Sequence, residues 1–502
     1  MLSWPRPSGG AGFGARPSDG TGARAGAGQD RSAAHGYLLP IDGSIIAEVP
    51  DTPPAEVASA IGTAEQAFAD WSRRSPIERG RVLRRAGELM LEYEEQLATL
   101  EARNLGAPYA ASLAMVRRAA GSFIYFSELA DKVTGDVIPV DGEYLTYSVR
   151  EPHGVVAAVV PWNAPIIFAT KKLAPALAFG NACLLKPSPE TPLSALQLES
   201  ILLEAGLPEG LARVLPGGRA TGEALTGDPR ISLIVFTGHD GTGKAIAAAA
   251  AKNLVPNALE LGGKSAQLVF ADAPTNRVVD GVVSGVFSNT GQACIAGSRI
   301  LVERGGSEQL FRGLAERTRR ITTGDPLAPG TELGPQTTLA QKEKTDRMIR
   351  NAVEAGATVL AQGELPTAPE LAAGYFVRPT LLTDVTPEME IVREEVFGPV
   401  AAVTTFTTEE EAVALANDTE YGLAAGIWST DAARVHRVAA ALRAGTVWVN
   451  TYGVISDRVP FGGIGRSGYG REGGQAAVEL YTRHKAVWTS LHRDEATADI
   501  LL

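Results

Sequence analysis

Between residues 155 and 270, short apolar runs alternate with amphipathic stretches. Apolar runs of this length predict strands, and apolar positions that recur every three or four residues predict helices. The predicted strands cover 155–160, 182–185, 213–215 and 231–236, and the predicted helices cover 166–179, 192–205 and 243–252. This alternation predicts an α/β fold with a parallel sheet covered on both faces, and such sheets bind ligands beyond the carboxyl ends of their strands.

Further elements flank this unit. Apolar residues recur at helical spacing from Val57 to Trp71 and again from Val82 to Met90, so helices are expected there. A second strand-and-helix unit is predicted from about residue 270 to 466. It includes segments 298–303, 308–319, 341–355 and 446–450.

Two segments differ in character from these units. Residues 1–36 are rich in Gly, Ala, Ser, Pro and Arg and lack hydrophobic periodicity, so a disordered arm is expected. Residues 144–149 alternate between Tyr144, Thr146 and Ser148 on one side and apolar or aromatic residues on the other. This pattern predicts an exposed antiparallel strand, and we expect a partner subunit to cover it.

The overall composition narrows the class of protein. A chain of 502 residues with 45% hydrophobic residues is expected to form several packed units. Its net charge of -11 argues against a nucleic-acid-binding protein, and no apolar run is long enough to predict a membrane span. The two cysteines form no Cys-x-x-Cys pair, so neither a disulfide framework nor a zinc site is expected. We therefore expect a cytoplasmic protein with a small-molecule partner and no metal.

A glycine-rich turn occupies residues 236–244, Phe-Thr-Gly-His-Asp-Gly-Thr-Gly-Lys. Gly238, Gly243 and Lys244 match a Walker A loop. However, Ala245 stands where a Ser or Thr would bind magnesium, which argues against an ATPase. The same turn can present helix amide groups to a pyrophosphate. A tight strand-to-helix connection without a ligand is the alternative.

Cys294 lies in a polar segment, residues 288–299, between an apolar helix ending near Phe287 and a strand starting near Arg299. A lone cysteine is usually buried and inert, but a glycine-containing loop between two elements favours a reactive thiol. Cys183 lies inside an apolar run, where we expect it only to pack.

Two further polar residues are candidates for chemistry. Glu260 interrupts the apolar segment 258–265, where a carboxylate needs a partner or a raised pKa, as a general base for water requires. A solvated loop carboxylate is the alternative. Asn163 follows the strand 155–160, so its amide can project into the ligand crevice and stabilise an oxyanion; otherwise it caps a helix.

Seven motifs occur in order along the chain. They are Pro161-Trp-Asn-Ala-Pro165, Lys186-Pro-Ser, Phe236-Thr-Gly, Leu259-Glu-Leu-Gly-Gly-Lys264, Gly291-Gln-Ala-Cys294, Glu394-Glu-Val-Phe-Gly-Pro399 and Pro460-Phe-Gly-Gly463. From about residue 41 to 490 the chain therefore resembles the aldehyde dehydrogenase family. The spacing between Glu260 and Cys294 is also similar to that of the family.

The resemblance implies a role for each matching residue. Cys294 would be the nucleophile, Glu260 would activate the water that releases the product, and Asn163 with the Cys294 backbone N-H would form the oxyanion hole. Lys172 and Glu472 match positions of a proton path near the base. The positions that match cofactor contacts are Pro161, Trp162, Lys186, Ser188, Gly238, Gly243, Leu261, Glu395 and Phe397.

The resemblance also implies an architecture. The expected parts are a Rossmann-like cofactor-binding domain (37–133 and 152–262), a catalytic domain (263–466) and a small β oligomerisation element (134–151 and 467–502). A homodimer or a homotetramer is expected.

The implied reaction passes through a cysteine hemithioacetal and a thioester. Coenzyme-A-acylating members of the family usually lack a glutamate at the position of Glu260, so a free acid is the expected product. A coenzyme-A-acylating enzyme and a catalytically silent structural relative remain alternatives. Pro189 stands where many NAD-preferring members have a glutamate, so NAD is expected and NADP stays open.

The substrate channel is expected to be mostly apolar, which favours an apolar or aromatic aldehyde. The positions that match it are Ile167, Phe168, Lys171, Ser288, Ala293, Ile295, Ile455 and Phe461. If Lys171 faces this channel, an aldehyde that carries a carboxylate becomes the alternative; otherwise Lys171 is a solvated helix residue. A second departure from the family is at the amino terminus, where Gly- and Ala-rich sequence replaces the usual first strand.

Overall fold

The computed structural model describes residues 34–491, which form an α/β protein. The first part contains β1 (Ala34–Leu38), β2 (Ile45–Pro50), α1 (Pro54–Trp71), α2 (Pro76–Glu92), α3 (Glu94–Leu105) and α4 (Tyr109–Leu129). Strands β1 and β2 pair in antiparallel fashion. The prediction that residues 1–36 form a disordered arm is therefore wrong for residues 34–36, because their backbone groups pair with β2. Residues 1–33 lie outside the described part.

The next part forms a six-stranded sheet with helices. Its elements and the strand before it are β3 (Tyr144–Pro152), β4 (Val155–Val159), α5 (Pro165–Ala178), β5 (Ala182–Lys186), α6 (Leu193–Glu204), β6 (Ala212–Val214), α7 (Arg219–Thr226), β7 (Ile231–Thr237), α8 (Asp240–Asn253) and β8 (Asn257–Glu260). Strands β8, β7, β4, β5 and β6 lie side by side in this order and are parallel. All residues of β4 and β5 are buried, as expected for central strands covered on both faces.

The remaining residues contain a second large sheet of seven strands, and their last two strands pair with earlier parts of the chain. The elements are β9 (Ala266–Val269), α9 (Thr275–Phe287), β10 (Arg299–Glu303), α10 (Ser307–Arg319), α11 (Leu339–Glu354), β11 (Thr358–Gln362), β12 (Thr380–Thr383), α12 (Glu390–Arg393), β13 (Val400–Phe406), α13 (Glu409–Asn417), β14 (Ala424–Trp428), α14 (Ala432–Ala441), β15 (Thr446–Val449), β16 (Gly468–Tyr469), α15 (Gly474–Tyr481) and β17 (Thr482–Ser490). The strand order is β11-β12-β13-β10-β9-β14-β15, and only β11 is antiparallel to its neighbour.

The carboxyl-terminal elements return to earlier parts of the chain. Strand β16 pairs with β8 at the edge of the six-stranded sheet, and α15 contributes Ala477, Val478 and Tyr481 to the same core. Strand β17 pairs with β3 along its whole length in antiparallel fashion. This confirms the predicted antiparallel strand at residues 144–149, but its pairing partner is a strand of the same chain, and coverage by a partner subunit stays a prediction. The division into domains stays a prediction. Among residues 34–491, no helix is long and apolar enough to cross a membrane.

Candidate active site

Cys294 lies on a tightly packed loop between α9 and β10. A Cβ at Gly263 would lie 2.5 Å from the Cys294 carbonyl oxygen, so only glycine allows this approach. On the other side of the loop, Tyr452 Oη donates a hydrogen bond to the Ile295 carbonyl, at 2.7 Å. Cys294 is partly buried, and this burial raises the pKa of its thiol to about 12. The thiol therefore has to lose its proton during the reaction. Cys183 is fully buried in β5, as predicted.

Asn163 reaches this loop from the end of β4. Its Nδ2 donates to the carbonyl oxygen of Gln292 at 2.8 Å, and Asn289 Nδ2 donates to the Asn163 carbonyl at 2.6 Å. The helix-cap interpretation is wrong, because the residue at the cap of α5 is Ala164, which makes no side-chain cap bond. Two residues that hold this loop, Asn289 and Thr290, have φ values of 53° and 57°. Such backbone strain in residues other than glycine is typical of functional loops.

Glu260 is the last residue of β8 and only 4% exposed, so the solvated-loop interpretation is wrong. Neither carboxylate oxygen has a hydrogen-bond partner among the described residues. Gly462 packs against it closely, since a Cβ there would lie 2.6 Å from Glu260 Oε1. Burial raises the pKa of Glu260 to about 8, and the positive charges of Lys172 and Lys171 oppose this rise. A carboxyl group of this pKa is suited to accept a proton near neutral pH.

Two lysines of α5 meet one carboxylate beside Glu260. Lys172 contacts Glu472 directly, and Lys171 Nζ lies 3.8 Å from Glu472 Oε2. Burial lowers the pKa of Lys172, and the charge of Glu260 opposes this fall. Lys171 is 8% exposed, and its Nζ lies 4.9 Å from the centre of the Phe461 ring. The interpretation of Lys171 as a solvated helix residue is therefore wrong.

The end of β5 contributes Lys186 to the edge where a cofactor is expected. Lys186 Nζ donates to the Pro187 carbonyl at 2.6 Å. Burial lowers its pKa to about 8, and the charge of Asp51 opposes this fall. Ser188 Oγ accepts a hydrogen bond from the Glu190 amide at 3.4 Å. These side chains lie at the carboxyl end of a parallel strand, as the sequence predicted.

The glycine-rich turn after β7 leads into α8, which begins at Asp240 and not at the predicted residue 243. The helix starts early because His239 caps it, its side chain accepting a hydrogen bond from the Gly241 amide at 3.1 Å. Gly243 consequently lies within the helix. A Cβ there would lie 2.7 Å from a methyl group of Leu261, so this glycine lets α8 pack closely against Leu261.

Residues of three motifs, which are distant in the sequence, meet beside these strand ends. Glu395 Oε1 accepts a hydrogen bond from the Gly263 amide at 3.0 Å, and burial raises the pKa of Glu395 to about 7. The rings of Phe397 and Trp162, which follows Pro161 at the end of β4, pack edge to face with centroids 5.2 Å apart. Phe397 adopts a φ of 62°, which is rare for an aromatic residue. These contacts connect residues at the strand ends of the six-stranded sheet with the Cys294 loop and with segment 394–399.

Sequence reasoning missed several residues that contact or lie near the predicted site residues. Tyr452 holds the Cys294 loop, and Arg118 on α4 lies within electrostatic range of Lys171. Ser122, on the same helix, donates a hydrogen bond from its Oγ to Asp457 Oδ2 at 2.5 Å. Their positions in ordinary helix and loop sequence carry no local pattern, so no motif could have indicated them. Across residues 34–491, no group of three or more His, Cys, Asp or Glu side chains is placed to hold a metal ion.

Comparison with known proteins identifies the family. The model of the aldehyde dehydrogenase family matches residues 29–487. A betaine aldehyde dehydrogenase from Cereibacter sphaeroides is 43% identical over 455 residues, which make up 90% of this chain and 93% of the relative. One from Sinorhizobium fredii is 42% identical over 461 residues, 91% of this chain and 94% of the relative.

Solved structures agree with this assignment. PnpE in complex with nicotinamide adenine dinucleotide is 42% identical and has a TM-score of 0.91, covering 93% of this chain and 96% of its own. Betaine aldehyde dehydrogenase from Staphylococcus aureus in complex with NAD+ is 35% identical and has a TM-score of 0.90, covering 92% and 93%. The match extends over nearly the whole chain, and this protein therefore belongs to the aldehyde dehydrogenase family.

Proposed function

We propose that this protein oxidises an aldehyde to a free carboxylic acid, with Cys294 as the nucleophile and Glu260 as the base for water. The observation that carries the proposal is the convergence of three side chains from separate elements. Asn163 bonds to the carbonyl oxygen of Gln292, two residues before Cys294, and Glu260 acts electrostatically on the Cys294 thiol. A nucleophile, an amide donor and a buried carboxyl group are the parts that an acyl transfer through cysteine requires.

In this reaction the Cys294 thiol gives its proton to solvent, its sulfur adds to the aldehyde carbon, and the aldehyde oxygen becomes negatively charged. The Asn163 side chain and the Cys294 backbone N-H stabilise that charge until hydride leaves and a thioester forms. Glu260 then takes a proton from water as the water attacks the thioester, which releases the acid and restores the thiol. In sum, one aldehyde, one NAD+ and one water give one acid, one NADH and one proton.

A nicotinamide cofactor supplies the hydride acceptor when it is bound, and the residues of the predicted site are suited to binding such a cofactor. Lys186 ends β5, Ser188 follows it, and the glycine-rich turn lies at the end of β7. The carboxyl ends of parallel strands are where α/β sheets bind nucleotides. The edge-to-face pair of Trp162 and Phe397 offers an apolar wall beside Glu395. The solved relatives with NAD+ bound support NAD for this chain.

The test is reduction of NAD+ by the purified full chain with a panel of aldehydes and without coenzyme A, with the acid product quantified. Cys294→Ala is expected to lose about 10⁴-fold or more in turnover. Cys183→Ala is the matched control and is expected to keep turnover, because that thiol only packs. An acyl-coenzyme A product that forms only with added coenzyme A would indicate a coenzyme-A-acylating enzyme. A folded protein that binds NAD+ but turns over no aldehyde would indicate a catalytically silent structural relative.

For the substrate, we favour an aldehyde that carries a carboxylate. Lys171 is buried within electrostatic range of both Cys294 and Glu260, and Arg118 lies within electrostatic range of Lys171. Burial lowers the pKa of Arg118, which Asp457 opposes. A cation within electrostatic range of the nucleophile, with a second cation near the first, attracts an anionic group and repels a cationic one.

The same contacts weigh against the other substrate classes. A quaternary ammonium group is usually held over aromatic rings, but the face of Phe461 is already covered by Lys171 Nζ. The names of the betaine aldehyde dehydrogenase relatives therefore do not settle the substrate here. An apolar or aromatic aldehyde, which the apolar channel positions suggested, would gain nothing from the charge of Lys171, whose Nζ lies 3.8 Å from Glu472 Oε2.

Three aldehydes of similar length test this proposal, with an anionic, a neutral and a quaternary ammonium tail. Lys171→Met should raise KM for the anionic aldehyde by about tenfold or more, because it removes a charge-assisted contact, and should change KM for the neutral one little. Lys252→Met, which alters an exposed lysine at the end of α8, serves as the control. An anionic-aldehyde KM that stays the same in Lys171→Met would exclude this role.

A further inference from the structure

Glu101 is a buried carboxylate that the proposed reaction does not use. It lies on α3 with no exposed surface, and its Oε1 accepts a hydrogen bond from the Ile166 backbone amide at 3.2 Å. Burial raises its pKa to about 7, while the Ser194 hydroxyl and the Ile166 amide act in the opposite direction. Burying an ionisable group costs free energy, so its presence calls for a local reason.

The contact places Glu101 at the amino terminus of α5. This helix begins at Pro165, and its cap residue Ala164 provides no side-chain hydrogen bond. The first amide groups of a helix need acceptors from outside the helix and favour a negative group nearby. Glu101 thus supplies the acceptor that the local sequence of α5 lacks.

Asn163 lies only three residues before Ile166, and the intervening Pro165 restricts the backbone. A displacement of the first turn of α5 therefore moves the Asn163 side chain. A misplacement of about 1 Å at a reacting group can cost about 100-fold in rate. Such a displacement would also lengthen the hydrogen bond of 2.8 Å between Asn163 Nδ2 and the Gln292 carbonyl oxygen.

We infer that Glu101 is a positioning residue, which holds the first turn of α5 so that Asn163 points at the Cys294 loop. The inference rests on the proposed function, because it assigns Glu101 to the setting of the proposed oxyanion donor. Glu101 itself contacts α5 and none of the reacting groups.

Asn104, one helical turn further along α3, provides a matched control. It is also buried, but its Oδ1 accepts from the Leu193 amide and its Nδ2 donates to the Glu190 carbonyl, each at 3.4 Å. These bonds hold the loop between β5 and α6, which contains Ser188. A change at Asn104 should therefore weaken cofactor binding, whereas a change at Glu101 should not.

The experiment measures single-turnover hydride transfer and the NAD+ dissociation constant in the full chain. Glu101→Ala is expected to slow hydride transfer by about tenfold or more while the NAD+ affinity stays within about twofold. Glu101→Gln should keep most of the wild-type rate, since the amide oxygen of the new side chain can still accept a hydrogen bond from the Ile166 backbone amide. Asn104→Ala should show the reverse pattern, with weaker NAD+ binding and a smaller change in rate.

The double variant Glu101→Ala/Asn163→Ala separates a positioning role from general loss of stability. If Glu101 acts through Asn163, the double variant should be no slower than Asn163→Ala alone. Additive losses, or a normal rate in a destabilised Glu101→Ala, would overturn the inference. If Glu101→Ala does not fold, Glu101→Asp retains the charge but withdraws the acceptor, and it should be slowed similarly. An Asn163→Ala variant with a normal rate would instead overturn the proposed function.

Discussion

Asn163 Nδ2 and the carbonyl oxygen of Gln292 lie 2.8 Å apart, although the two residues are 129 positions apart in the sequence. This hydrogen bond joins the loop after β4 to the loop that carries Cys294. It thereby connects the six-stranded sheet, which contains β4, to the loop that precedes β10 of the seven-stranded sheet. The geometry therefore supports an amide donor held in place before the charge develops.

Asn163→Ala should lower the rate of hydride transfer by about 10² to 10³-fold, because one donor to the developing negative charge is lost. The affinity for NAD+ should change little. Stopped-flow absorbance of the reduced nicotinamide measures the rate, and quenching of protein fluorescence measures the affinity. A loss smaller than about tenfold would remove Asn163 from the oxyanion hole.

The pH dependence of acid release should report Glu260. Because burial raises its pKa to about 8, the carboxylate form that accepts a proton from water increases as the pH rises through 8. Acid release in a single turnover should therefore increase with pH and level off above this value. Glu260→Gln should lose this dependence together with most of the rate.

Lys172→Met provides a second test of the same group. Lys172 is the first of the positive charges that hold the pKa of Glu260 down, so its removal should shift the pH profile to higher pH. A profile that keeps its midpoint in Lys172→Met would show that another group controls the dependence.

Cofactor choice should respond to Pro189, which follows Ser188 on the loop between β5 and α6. Pro189→Glu introduces a carboxylate where a 2'-phosphate would lie in the implied binding mode. KM for NADP+ should rise by about tenfold or more through repulsion, while KM for NAD+ should stay similar. Pro189→Gln, which adds similar bulk without charge, is the control. Equal effects of the two variants on NADP+ would contradict the electrostatic explanation.

The sequence predicted the elements of the six-stranded sheet closely, because buried parallel strands are continuous apolar runs. The structure confirms the predicted strand at 155–160 as Val155–Val159. The predicted start of α8 was wrong, because capping by His239 is a local side-chain interaction that hydrophobic periodicity does not reveal. The strand Ala34–Leu38 was missed because its partner β2, and not its own composition, stabilises it.

The candidate site was predictable where a motif fixes both the residue and its place on a strand end. Asn163 and Glu260 are of this kind, whereas Cys294 lies on the loop that the sequence predicted between a helix ending near Phe287 and a strand starting near Arg299. Glu101 and Tyr452 were not predictable, because their importance comes from contacts with segments far away in sequence. Such contacts depend on how helices and loops pack, and a single sequence carries no local pattern for them.

The covalent role of Cys294 is the central claim, and one measurement tests it directly. Glu260→Gln is mixed with an aldehyde and NAD+, quenched in acid within one turnover, and analysed by intact mass and peptide mapping. The account predicts a burst of reduced nicotinamide and an equal amount of acyl adduct on the peptide that contains Cys294, because the base for thioester hydrolysis has been removed. A burst of reduced nicotinamide with free acid and no adduct on Cys294 would contradict it.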